Sequence, residues 1–201
     1  MIEVEKRLGL VGDEALKLKE KLEDTLGTPK TLRRTILIKT GNNFVPDPAA
    51  LIDIKVKLID DLSLLSIKHG VWHADSARRE YETHFERNDL SELISSLAVL
   101  GYTNFILLCT KRLKWQSNGL TITLDEYTNA DQRALFEVEV SDASKSEHDI
   151  DQLFNSYSIV PMSSDGTIRF MSELNQLKSV QIDLLSSDAS AIANIMIEHH
   201  S

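Results

Sequence analysis

Apolar and charged residues alternate one by one along several short segments of this chain, and a period of two marks a strand with one buried face. The segments lie at about 2–7, 32–38, 52–58, 64–68, 78–86, 104–115, 120–127 and 134–140. Between them the period changes to that of a helix. "GDEALKLKEKLEDTLG" sets leucines at helical spacing, with Asp13 as a cap and Gly27 as a stop. "NDLSELISSLAVLGY" starts at Asn88 or Ser91 and ends at Gly101. The polar "SDASKSEHD" leads into a helical "IDQLFNSYSIV", and one or two further helices follow, including "DASAIANIMIEHH". This order predicts an α+β fold, with helices packed on a mostly antiparallel sheet over 1–160 and a helical extension over 161–201.

The alternation assigns a charged face to nearly every strand. Glu3, Glu5 and Arg7 oppose Ile2 and Val4, and Asp53, Lys55 and Lys57 oppose Ile54, Val56 and Leu58. Lys68 opposes Leu65 and Ile67, while Arg78, Glu80, Glu82 and Glu86 share one face of their strand. Arg112 and Lys114 oppose Leu113 and Trp115; Asp125 joins Thr121 and Thr123; Glu137 and Glu139 oppose Phe136, Val138 and Val140. An open sheet with one wet face accounts for any single strand of this kind. So many strands bearing charges of both signs also fit an eight-stranded antiparallel barrel, its interior a charged tunnel and its apolar outside covered by helices.

A tunnel of that kind would carry two chemistries. Glu3, Glu5, Glu137, Glu139 and Asp125 offer hard oxygen donors suited to Mg2+ or Mn2+. Lys55, Lys57, Lys68, Arg78 and Arg112 offer cations for phosphate oxygens, the arginines with bidentate geometry. Acids and bases in one cavity suit a metal–polyphosphate complex.

Charge and composition narrow the partners. The chain has 201 residues and a formal net charge of −9, which argues against broad binding to nucleic acid or an anionic membrane surface. No apolar run is long enough to span a membrane, and no basic-then-apolar leader opens the sequence. The lone cysteine, Cys109, cannot form an internal disulfide, so a reducing, cytoplasmic setting is expected. Its apolar run "NFILLCT" reads as core. Zinc spacing, a glycine-rich phosphate loop and a nucleophile elbow are all missing.

The ordered motifs resemble a known family. "EVEKR" is similar to the ExExK-type opening strand of the CYTH, or triphosphate tunnel metalloenzyme, superfamily, with Arg7 in the Lys position. The wording "IEVEKR" is nearest to the thiamine triphosphatase branch. "RREYE" resembles the family's R-x-E-x-E strand, and "TKRLKW", "LTITLDEY" and "FEVEV" resemble its second half in order and nearly in spacing. The resemblance implies a tunnel in which Glu3, Glu5, Glu137 and Glu139, with Asp125 close by, hold the metal. It implies phosphate-binding roles for Arg7, Lys55, Lys57, Lys68, Arg78 and Arg112, to which Lys114 adds by sharing the Arg112 face. Lys68 and Arg7 are the candidates for catalysis; Lys111 ranks lower because alternation points it away from Arg112.

The implied reaction is attack by water on a terminal phosphoryl group of tripolyphosphate or a small organic triphosphate such as thiamine triphosphate. A class IV-type adenylate cyclase and a non-catalytic triphosphate-binding module are the alternatives. Two departures stand out. "TLRRTILIKTGNNFVPDP" lacks the acids and tyrosine that many members carry on the second strand, and Lys55 and Lys57 stand where arginines are usual. The C-terminal helices either cover the barrel or make a homodimer contact; the sequence does not separate these.

Overall fold

The computed structural model describes residues 4–46, 50–70 and 79–200. In chain order the elements begin with β1 (Glu5–Val11), α1 (Asp13–Leu26), β2 (Lys30–Lys39), β3 (Ile52–Ile59), β4 (Leu62–His69) and β5 (Arg79–His84). They continue with α2 (Leu90–Val99), β6 (Asn104–Ser117), β7 (Leu120–Tyr127), β8 (Arg133–Val140) and α3 (Glu147–Ser156). The last are α4 (Ser164–Asn175), β9 (Gln181–Asp183) and α5 (Ala189–His200). The fold is α+β, as the alternation implied. No helix among the described residues is long and apolar enough to cross a membrane.

The chain forms two compact units, one from Met1–Leu32 and Thr110–Phe170, the other from Arg33–Cys109 and Met171–Ser201. In the first, β1 pairs antiparallel with β8, β8 with β7 and β7 with the C-terminal half of β6. One face of these strands is mostly apolar because alternate residues along their middles are Leu, Ile, Val, Phe or Trp. Leu10, Phe136, Val138, Ile122, Leu124, Leu113 and Trp115 are buried there beneath Leu18 and Leu22 of α1 and Ile150 and Phe154 of α3. Phe136 meets Phe154 edge to face at a centroid distance of 5.4 Å. Trp115 donates its indole N–H to the Gly27 carbonyl at 2.8 Å, tying the end of α1 to the sheet; it packs in the core, as its flanking residues suggest.

In the second unit β3 pairs antiparallel with β2 and β4, and β4 with β5. The N-terminal half of β6 pairs with β9. Leu37, Ile54, Val56, Leu58, Phe105 and Leu107 pack with Leu90, Ile94 and Leu97 of α2 and Ile192, Ala193 and Met196 of α5. Residues 161–201 are thus more than a covering of helices: they add a strand to β6 and part of this core.

Strand order ends at β1 on one side and β5 on the other. The sheet is open among the described residues, and the closed eight-stranded barrel expected from the sequence is not formed by the described ladders. β5 is exposed at all six positions and dense in charge, the habit of an edge strand.

Helix ends differ in part from expectation. Asp13 does not cap α1; Gly12 precedes it at φ 60° and Asp13 and Glu14 fill the first turn. Their charge there favours the helix N-terminus. Gly27 does stop α1, at φ 79°, and its N–H reaches the Glu23 carbonyl. Neither Asn88 nor Ser91 caps α2, which grows out of a short 3-10 turn at Arg87–Asp89. It ends as expected at Gly101 (φ 87°), with Gly101 N–H bonded to the Ala98 carbonyl and Tyr102 N–H to the Leu97 carbonyl. α3 begins earlier than expected, through a capping box between Ser146 and Asp149.

One close approach constrains the first unit. The segment after α3 runs beside β1, where the Met162 N–H donates to the Arg7 carbonyl at 2.7 Å and the Gly9 N–H reaches the Met162 sulfur at 3.3 Å. Phe170 then lies on Gly9 so closely that a Cβ there would be 2.3 Å from its ring. Gly9→Ala should therefore lower stability by about 1–3 kcal/mol through overpacking. Denaturant unfolding of a double-mutant cycle with Phe170→Leu should return part of that loss; no coupling between the two would contradict the contact.

Candidate functional site: charged faces of the two units

The face of the first unit opposite its core is an ordered lattice of charges. Register places Glu5 opposite Glu139, Glu139 opposite Thr121 and Thr121 opposite Gln116. The next row is Arg7, Glu137, Thr123 and Lys114. A third holds Gly9, Leu135, Asp125 and Arg112. Of the sequence-predicted residues, the structure thus brings Glu5, Arg7, Arg112, Lys114, Asp125, Glu137 and Glu139 onto one face. Glu3 lies outside the described residues. Lys111 is exposed on the opposite side, opposite Glu126, as its parity requires.

Acids and bases on this face neutralise one another. Arg7 bonds Glu137 at 2.6 Å and also clasps Glu5. Arg112 grips Asp125 with two parallel bonds, Nε to Oδ1 at 2.7 Å and Nη2 to Oδ2 at 2.5 Å. Fork geometry of this kind is open to arginine alone. The Asp125 side chain is only 7% exposed, so its charge depends on that partner.

Burial would push the Glu137 carboxyl up. The Arg7 charge and hydrogen bond, with the charge of Arg112, outweigh burial and hold it below its ordinary value of 4.5. Burial works against the Arg112 guanidinium too, and the hydrogen bond and charge of Asp125, with Glu137 behind it, raise its pKa nonetheless. Lys114 differs: among the described residues it has no carboxylate partner. Thr121 accepts from Gln116 at 2.8 Å, whereas the hydroxyl of Thr123 is buried without a hydrogen-bond partner among the described residues.

The second unit has a charged face of its own. Asp53, Lys68 and Glu80 form one row across β3, β4 and β5, and Lys55, Ser66 and Glu82 form the next. Lys57 lies opposite Leu64, which lies opposite His84. Glu80 is its hub, accepting from Ser66 at 2.8 Å and Lys68 at 3.2 Å, with Lys57 at 3.6 Å. Lys57 also bonds Glu82 at 2.7 Å, and Lys55 lies 3.5 Å from Asp53. Burial acts to raise the Glu80 carboxyl; Ser66, Lys68 and Lys57 together lower it below 4.5. Arg78 lies outside the described residues. The sequence reading assigned the bases and missed Glu80 and Asp53 as their partners, although parity put them on the right face. What it lacked was the cross-strand register, since only pairing sets Lys68 against Glu80.

Among the described residues no three His, Cys, Asp or Glu side chains gather as a metal cage. The oxygen donors of the first unit still suit a hard cation. Glu5 and Glu139 stand directly opposite, a like-charge pair that a cation relieves. Magnesium in particular is often held by one or two carboxylates together with substrate phosphates. Cys109 plays no part here: it is buried and its thiol is pushed by burial up to about 11.

The lowered Glu137 carboxyl has a defined pH signature. Its contribution is full above the unfolded value and is lost as pH falls below 4.5 through the lower folded value. Wild-type stability should drop more steeply than that of Glu137→Gln over this acid range, as read from denaturant midpoints at several pH values. Parallel curves would show that the ion pair contributes nothing.

No protein-family model matches the chain, and no curated protein matches it. Solved structures do. The chain is similar to a candidate adenylate cyclase from Bacillus halodurans, with 14% identity, 84% of this chain and 98% of that chain covered, and a TM-score of 0.56. It is similar to a candidate adenylyl cyclase from Hippeastrum described as having a dominant triphosphatase activity. There the identity is 18%, the coverage 83% of this chain and 95% of that one, and the TM-score 0.54. A chain in the Schizosaccharomyces pombe Mediator head module is also similar, at 14% identity, 81% and 100% coverage and a TM-score of 0.54. At these identities the likeness is one of fold.

Proposed function

We propose that this protein is a divalent-metal-dependent triphosphatase acting on tripolyphosphate or a small organic triphosphate. The observation that carries the reading is the face of the first unit, where Glu5, Glu137, Glu139 and Asp125 are interleaved with Arg7, Arg112 and Lys114 on four strands. A merely wet face has no need of carboxylates buried beside arginines, which is costly to build. The motif resemblance and the Hippeastrum neighbour support the reading. The Mediator neighbour is a reminder that function rests on the site rather than the fold.

Bound Mg2+ or Mn2+ would take oxygen ligands from Glu5, Glu137 and Glu139, joined by Glu3 and Asp125, and would supply Lewis-acid charge to the phosphate oxygens. Arg7, Arg112 and Lys114 bind and orient the triphosphate on this face. Lys55, Lys57, Lys68 and Arg78 are the proposed bases of the second unit, with Lys68 and Arg7 in the catalytic role. Their work is electrostatic: positive charge fixed in place steadies negative charge spreading over the transferring phosphoryl group as water attacks. We place this reaction in the cytoplasm; a homodimer is compatible with it.

A second reading, cyclisation of ATP, is favoured by the Bacillus neighbour. One experiment separates the two. Purified protein with Mg2+ or Mn2+ is given tripolyphosphate, thiamine triphosphate and ATP, with EDTA controls, and phosphate and cyclic AMP are measured. Phosphate release that needs the metal and falls at least about 100-fold in Glu5→Gln and Glu139→Gln is the expected outcome. Cyclic AMP from ATP would select the cyclase. Full activity in both variants would overturn the proposed metal site.

A further inference from the structure

Among the described residues, two donors on the charged face of the first unit lack a partner, and they are neighbours. Arg7 already bonds Glu5 and Glu137, and Arg112 bonds Asp125, each having further N–H donors besides. Lys114 has no carboxylate partner among the described residues. Directly opposite it on β7 stands Thr123, 3% exposed, whose hydroxyl likewise lacks a partner among the described residues. A buried hydroxyl without a hydrogen bond is destabilising, and native proteins retain such groups where a ligand or water completes them. Valine would fill the same volume in a strand at no polar cost. Thr110 also has an unpartnered hydroxyl on this strand pair, but it stands opposite Tyr127, beyond the three charged rows.

We infer that Thr123 is a substrate-positioning residue: its hydroxyl donates to a phosphoryl oxygen of the bound triphosphate, whose charge Lys114 meets from the adjacent strand. The pair forms an anion-receiving step in the row Arg7–Glu137–Thr123–Lys114. Glu137 stands on the other side of Thr123 and is turned to Arg7 by their 2.6 Å bond. Its negative charge is thereby neutralised next to the incoming anion. Ammonium and hydroxyl together give one charged and one neutral donor. That arrangement suits an oxygen of a polyphosphate chain better than a carboxylate, which pairs best with an arginine fork. This inference rests on the triphosphate reading above and names a contact within it.

Thr123→Val and Thr123→Ser separate the hydroxyl from the packing. Melting temperature of the full chain is measured alone and in a titration with inorganic tripolyphosphate and Mg2+. Without ligand, Thr123→Val should melt at or above the wild-type temperature, because it removes an unsatisfied polar atom. Its affinity for tripolyphosphate should fall about tenfold or more, while Thr123→Ser stays near wild type. Equal affinity in wild type and Thr123→Val would overturn the inference and leave the triphosphate reading intact. No response of the wild-type protein to tripolyphosphate would overturn both. If Thr123→Val does not fold, Thr123→Ala serves the same comparison.

Discussion

Side-chain parity along paired strands governs this molecule. In the first unit, burying Phe136, Leu124 and Leu113 beneath α1 and α3 commits every second residue to the helix side. The remainder must face away, and there the sequence has set Glu, Asp, Arg, Lys and Thr. A slip of one residue in any ladder would carry a carboxylate into the core and a leucine out of it, a penalty far larger than any one cross-strand contact. The core thus fixes register, and register fixes which acid meets which base.

That order of causes explains what could be read in the chain and what could not. Parity is local, so the strands from β1 to β8 were legible, and so were their faces except in β2, whose "TLRRTILIK" does not alternate: Glu137 and Glu139 opposite Phe136 and Val138 need only the word "FEVEV". Partnership is not local. That Lys68 meets Glu80, or that Arg112 forks onto Asp125, depends on the offset between strands, which turns such as the one near Asn118 and Gly119 set through positive φ. β9 escaped notice for a related reason. Three residues are too few to alternate visibly, and it exists because β6 offers it an edge. Sheet closure is a further step removed, since it depends on how strand ends meet and not on any one strand's pattern.

The two charged faces differ in how they hold their bases. In the first unit the arginines are fixed by forks and short bonds, so their positions are set before any ligand arrives. In the second unit lysines converge on Glu80, and a flexible ammonium can exchange one oxygen for another with little loss of geometry. The first face is held rigid, whereas the second can rearrange.

The strand of chain around Met162 has another role. β1 is the last strand of its sheet, and a last strand offers bare amides and carbonyls to any passing copy. Here the chain covers that margin itself, with Met162 on the Arg7 carbonyl and the Gly9 amide. The tail that looks like an appendage therefore also screens this margin: cutting the chain at residue 160 would uncover an adhesive border and, at the same stroke, strip β9 and α5 from the second core.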